Sequence, residues 1–163
     1  ITASTLNTLT KIMRAFSSRR ALGDAQDIAD VAEYIARLPM TIDNGRGPEL
    51  SLREGEAIYK RDCVDCHGDV GQGVAEDHSP MIHGQHFNYL MRQFEWIRVG
   101  KRRNADKKMT KQIGHFTFSQ EIDVLSYVSS LKPPAEKLAP TGGWVNPDFP
   151  RFVRIDDQQN INK

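Results

Sequence analysis

Cys63-Val64-Asp65-Cys66-His67 is the stretch from which the rest of this chain is read. It has the form C-x-x-C-H, the attachment signal for a c-type haem. Two thiols must reach the two vinyl groups on one side of a porphyrin. The two residues between them give one turn of backbone, enough to span neighbouring pyrrole rings. His67 follows directly, so the same turn aims its imidazole at the iron as the proximal ligand. Other readings explain less. A thioredoxin-type C-x-x-C expects a βαβ context, and none is visible. A structural zinc site usually wants four ligands, and Cys63 and Cys66 are the only cysteines. A plain disulfide leaves His67 without a role.

Size and composition agree with a small globular protein. The 163 residues suit one domain or two small ones, and 39% hydrophobic with 26% charged residues is ordinary. No apolar run is long enough for a transmembrane helix. The sequence begins at Ile1 rather than Met. Covalent haem attachment is completed outside the bacterial cytoplasm, so the expectation is a periplasmic protein whose signal peptide has been removed.

Net charge is +1, but its distribution is uneven. Arg92, Arg98, Lys101, Arg102, Arg103, Lys107, Lys108 and Lys111 fall within one short stretch, opposed only by Glu95 and Asp106. Such a run is either a solvated basic face or a docking surface for an acidic redox partner. No nucleic-acid-binding motif accompanies it, and no nucleic-acid partner is expected.

Upstream of the motif, residues 5–16 carry Leu6, Leu9, Ile12, Met13 and Phe16 at helical spacing. Asp24 is the expected N-cap of a second helix, with Ile28, Val31, Ala32, Ile35 and Leu38 on one face and Pro39 at its end. This helix has an echo. Asp30-Val31-x-x-Tyr34-Ile35-x-x-Leu38 matches Asp123-Val124-x-x-Tyr127-Val128-x-x-Leu131 at a constant offset of 93 residues. Two amphipathic helices share an apolar pattern by chance often enough. The shared Asp and Tyr favour a repeat. Residues 41–50 are rich in Gly and read as a linker.

Ser51-x-x-Glu54 is a capping box that opens a helix running into the haem motif. In it, Gly55 lies one turn before Tyr59, where a second helix could approach closely. Gly71-Gln72-Gly73 lacks the ending of a phosphate loop and reads as a turn folded around a haem edge. His78, Pro80, Met81, His83 and His86 cluster, but their spacing is loose for metal ligands and no carboxylate completes them. Exposed histidines near a helix start are the simpler expectation. Phe87, Leu90, Met91, Phe94 and Ile97 form the stripe of a helix over residues 86–99, ended by Gly100. Met109 falls in a polar stretch read as a loop, with no helical face to join. Service as the sixth ligand to iron would explain it. The closing helix is expected to begin near Ser119, a plausible N-cap, and to carry Ile122, Val124, Leu125, Val128 and Leu131 up to Pro133-Pro134. Residues 133–163 read as an extended tail that packs through Trp144, Phe149 and Phe152.

Together these residues resemble a class I cytochrome c domain, and more narrowly one half of the periplasmic diheme cytochromes built from two such domains. The resemblance rests on Cys63 to Gly68, Gly71-x-Gly73, Pro80-Met-Ile-His-Gly84-Gln85-His86, Tyr89-Leu90, Gln93-Phe94, Arg98-x-Gly100-x-Arg102-x-Asn104, Met109 and the helix through Tyr127 and Leu131. It implies an all-α fold with one haem c over residues 51–132. It implies His67 and Met109 as axial ligands. It also implies that the Pro80 carbonyl accepts the proton on the other nitrogen of His67, and that Gly55 and Tyr59 pack on the closing helix. Residues 1–40 depart from the pattern. They look like the end of a preceding domain, with no C-x-x-C-H before them in this sequence: either that domain has decayed to a haem-free remnant, the favoured reading, with Met13 a packing residue, or the sequence is a piece of a longer diheme protein. The apolar faces of these residues could cover the haem domain or form a homodimer.

The expected function is electron transfer, because a His/Met-ligated haem is closed to substrates. The alternative is a haem enzyme or ligand sensor with a displaceable sixth ligand, for which His83 or His115 would supply the distal group. A third reading is a subunit of a larger redox complex.

Overall fold

The structure, a computed structural model, describes residues 19–41, 43–49, 52–141 and 144–147. The helix expected over residues 5–16, the Ser51 cap, and Phe149 and Phe152 lie outside the described residues. The chain divides into two compact units, Ile1–Leu38 and Pro39–Lys163.

The first unit holds helices α1 (Arg19–Leu22) and α2 (Ala25–Arg37). Asp24 caps α2 as expected. Its Oδ1 accepts the backbone N–H groups of Gln26 and Asp27 at 2.8 and 3.1 Å, and the Asp27 carboxylate accepts the Asp24 N–H at 2.9 Å. This reciprocal box satisfies donors that a helix start otherwise leaves bare. Leu38 turns extended before Pro39, whose ring disfavours helical geometry in the residue before it.

The second unit holds α3 (Leu52–Asp62), α4 (Val64–His67), α5 (Phe87–Arg98), α6 (Lys107–Ile113), α7 (Phe118–Ser130) and a 3-10 turn at Ala135–Lys137. Among the described residues there is no strand, only the isolated bridges Met40–Leu138 and Val74–Ser79. The fold is all-α. Its core is Ile58 and Tyr59 of α3, Leu90, Phe94 and Ile97 of α5, Ile113 and Phe116, and Val124, Leu125 and Val128 of α7. The α5 stripe is the one its period of apolar residues requires.

Helices α3 and α7 cross at Gly55. A Cβ there would lie 2.1 Å from the Asp123 carbonyl oxygen, so only glycine permits this approach. Tyr59, one turn on, is fully buried with its ring 5.4 Å from that of Tyr127.

The closing helix begins earlier than Ser119. Thr117 is the N-cap, accepting from the Gln120 N–H at 3.3 Å, while the Gln120 side chain takes the Thr117 N–H at 3.0 Å. With this correction α2 and α7 correspond closely. Each has 13 residues, a capping box before it and a leucine C-cap, and each landmark is displaced by the 93-residue offset of the echo. Their apolar positions differ in burial. Val124 and Val128 are 1% and 2% exposed, whereas Val31 and Ile35 are 41% and 59% exposed.

The stretch read as a linker is packed on the second unit. Asn44 is buried, and its amide donates to the Gln85 and Ser129 carbonyls at 3.0 and 2.9 Å. The Gly47 N–H donates to Ser129 Oγ at 2.9 Å.

Candidate haem site

Helix α3 delivers Cys63 directly, and α4 is the single turn formed by the motif itself. The Cys66 and His67 N–H groups donate back to the Cys63 carbonyl at 3.2 and 2.9 Å. This turn puts both thiols and the imidazole on one short piece of backbone. The thiols are not joined in a disulfide. Cys63 packs against the core cluster, and Cys66 is exposed. Burial, and next the negative charge of Asp62, push the Cys63 thiol up to about 12.

His67 is buried, and its Nδ1 lies 2.9 Å from the Pro80 carbonyl oxygen. A carbonyl only accepts, so Nδ1 carries the proton. The lone pair is then on Nε2, where a metal would bind. Two free thiols, a tautomer fixed with Nε2 basic, and an adjoining apolar cluster are what a covalently attached haem requires, so the residues fit that group.

The loop after His67 is tightly built. Its Gly73 N–H donates to the His67 carbonyl at 2.8 Å, and Val74 and Ser79 exchange hydrogen bonds of 3.1 and 3.0 Å. At Gly73 φ is +77°, and a Cβ would meet Ser79 O at 2.6 Å and the Pro80 carbonyl carbon at 2.8 Å. The Tyr59 hydroxyl donates to the Gly68 carbonyl at 2.5 Å, tying α3 to the same loop. Burial, then the neighbouring Cys63 thiol, push this phenol up to about 12.

Met109 is not in a loop. It is the third residue of α6, half-buried and packed on the cluster that also receives Cys63. Asp106 caps that helix, its Oδ1 accepting from Lys108 N–H at 2.7 Å and Met109 N–H at 3.1 Å. The Met109 and Lys108 amides hold the Asp106 carboxyl below the usual range. The cap was legible as an Asp ahead of the segment, but seven residues are too few to show a period.

The histidines near the start of α5 differ from one another. His78 is exposed at φ +55°, while His83, expected to be exposed, is 2% exposed. Among the described residues no group of three or more His, Cys, Asp or Glu could hold a metal ion.

The basic stretch is not uniformly solvated. Arg98 is half-buried and pairs with Glu95 and, at 3.0 Å, with the buried Glu121. Arg102 is half-buried as well. The other six are exposed. Arg92 lies over the rings of Tyr89 and Trp96 at 5.3 and 5.5 Å, and Lys101 over Trp96 at 4.7 Å, a cation–π group on the outside of α5.

Comparison with known proteins agrees with this geometry. The profile of the family described as Cytochrome c matches residues 52–132. The chain is 30% identical over 116 residues to a cytochrome c4 of Pseudomonas aeruginosa, covering 65% of this chain and 57% of that protein. It is 28% identical over 116 residues to a cytochrome c-552 of Acidithiobacillus ferridurans, covering 66% of this chain and 49% of the relative. The chain thus spans about half the length of the curated relatives it matches. A solved cytochrome c4 structure from Acidithiobacillus ferrooxidans superposes with a TM-score of 0.56 at 28% identity, over 66% of each chain.

Proposed function

Residues 52–132 belong to the cytochrome c family, and from that premise we propose that the chain carries single electrons through one haem c held by Cys63, Cys66, His67 and Met109. The observation that carries the reading is the pairing of His67 Nδ1 with the Pro80 carbonyl at 2.9 Å. A histidine held in this tautomer serves a metal at Nε2. Haem bound there would supply an iron that changes by one electron. The chain's own residues do the rest. Cys63 and Cys66 would hold the group by thioether bonds, and His67 and Met109 would supply the side chains that ligate its iron. The packed loop over residues 68–83 keeps the His67 ring from turning. Cys63 and Met109 both pack against the apolar cluster, which would lower the polarity around a group held between them.

The six exposed cations between Arg92 and Lys111 form a docking surface for an acidic redox partner, whose approach they accelerate. A periplasmic location follows from covalent haem attachment. The matched landmarks of α2 and α7 support the first unit as the end of a second cytochrome c domain. No helix among the described residues is long and apolar enough to cross a membrane.

The intact mass of the matured chain tests the reading. One added haem, with both cysteines unreactive to alkylation, is expected. No addition, or two, overturns it.

A further inference from the structure

His83 is a buried polar residue to which neither the attachment motif nor the proposed ligand set gives a role. It is 2% exposed, and its Nδ1 lies 3.1 Å from the Val70 carbonyl oxygen. Again the acceptor is a carbonyl, so Nδ1 carries the proton and donates it. The Nε2 atom is buried and finds no hydrogen-bond partner among the described residues. Leaving a buried nitrogen unpaired costs folding free energy. An alanine or leucine would escape that cost, so the Nδ1 bond is the feature that needs explaining.

What that bond joins is informative. Val70 belongs to the loop that leaves His67, and His83 belongs to the segment that carries Pro80. The same two pieces are joined by Ile82 N–H and His83 N–H, both donating to the Gly71 carbonyl at 2.8 and 3.1 Å. Gly71 has φ +75°, and a Cβ there would lie 3.1 Å from His83 N, so the backbones approach closely. Val70 itself is about half exposed, at 51%. The imidazole of His83 therefore reaches past Gly71 to the exposed residue beside it and closes the junction from within. If that junction opens, the Pro80 carbonyl loses its fixed distance to the His67 ring.

We propose that His83 is a positioning residue for the haem ligand: by donating from Nδ1 to the Val70 carbonyl it clamps the 68–73 loop to the 79–83 segment and so holds the Pro80 carbonyl on His67. The clamp itself is a feature of the protein fold. Its consequence for the ligand rests on the proposed assignment of His67.

Two polar substitutions separate the donor from mere bulk. In His83→Asn the amide nitrogen falls near the place of Nδ1 and can still reach Val70. In His83→Gln the amide extends toward the place of Nε2 and cannot. The readouts are taken on the haem-loaded protein. Exchange of the Ile82 and His83 backbone N–H groups reports the clamp, and the reduction potential reports its effect on the ligand. In His83→Gln, exchange of both amides is expected to quicken by about tenfold, the loss of one hydrogen bond's worth of protection. The potential should rise, because a weaker acceptor on His67 Nδ1 makes the imidazole a poorer donor to ferric iron. In His83→Asn both readouts should stay near those of the parent. Unchanged exchange in His83→Gln, or equal acceleration in both variants, would overturn the clamp. Quickened exchange with an unmoved potential in His83→Gln overturns the link from clamp to ligand. A His67→Ala chain whose haem spectrum matches the parent's refutes the ligand assignment instead, and leaves the exchange result to decide the clamp.

Discussion

Replacing Gly55 by alanine adds one methyl group at the crossing of α3 and α7. That methyl would sit 2.1 Å from the Asp123 carbonyl oxygen, 2.7 Å from its carbon and 2.9 Å from Tyr127 Cβ. Ordinary contact begins near 3.4 Å, so the two backbones must part by about 1.3 Å, the gap between 2.1 and 3.4 Å. The nearest atoms belong to the backbone of a helix interior and cannot swing aside. A gap of that size forfeits roughly half of the dispersion energy across the crossing. Overpacking of this kind costs about 1–3 kcal/mol, and a rigid backbone obstacle puts Gly55 at the upper end. Better helix propensity returns about 1 kcal/mol. The net loss is about 2 kcal/mol, or roughly 10 °C in Tm for a domain of this size. Thermal unfolding of the haem-loaded protein, followed by far-ultraviolet circular dichroism, measures it. Two other glycines calibrate the scale. Gly114 is in the right-handed helical region and its nearest neighbour would be 3.4 Å away, so Gly114→Ala should be neutral or stabilising. A Cβ at Gly100 would meet nothing within 4 Å among the described residues, but φ is +69°, so Gly100→Ala should lose only about 1 kcal/mol, from left-handed strain. A Gly55→Ala protein as stable as Gly114→Ala would refute the close-packed crossing.

Other predictions follow from single contacts. Tyr59→Phe removes the hydroxyl bonded to the Gly68 carbonyl and should cost about 1–3 kcal/mol in denaturant unfolding, with the α3–α7 crossing intact. Burial pushes the Glu121 carboxyl up, against the opposing pull of Arg98, whose guanidinium lies 3.0 Å from Glu121 Oε2. The folded state therefore holds that proton more tightly than the unfolded state. Stability should fall as pH rises through the range between the ordinary carboxylate value and the raised one, and Glu121→Gln should flatten that slope in pH-dependent melting. If the exposed cations steer an acidic partner, oxidation by a small anionic complex should slow as the screening length falls from about 30 Å at 0.01 M salt to about 3 Å at 1 M. The reaction with a cationic complex should not show that slowing.

The parts of the fold that a sequence displays are those written in local chemistry. The α5 stripe shows because twelve residues cover more than three turns, and the Asp24 cap shows because its partner Asp27 is three residues away. The haem motif shows because its chemistry fixes three of five positions. Helix α6 stayed hidden because most of its seven residues are polar, and its hold on the fold comes through Met109 and Ile113 against distant core residues. The true start of α7 was written as Thr117-Phe118-Ser119-Gln120, but Ser119 is also a good cap by type, and only the reciprocal bond of Gln120 separates the two. Burial of His83 could not be read at all. It depends on a carbonyl 13 residues away and on backbone approach at Gly71.

If His67 and Met109 both ligate the haem iron, no position on the iron is left open to substrate. The visible and near-infrared spectrum of the oxidised protein, compared with that of Met109→Ala, tests this ligation most directly. A sulfur-to-iron charge-transfer band is expected in the parent and should disappear in Met109→Ala, while the haem stays attached through Cys63 and Cys66. A band that survives the substitution, or a parent protein that lacks one, would contradict it.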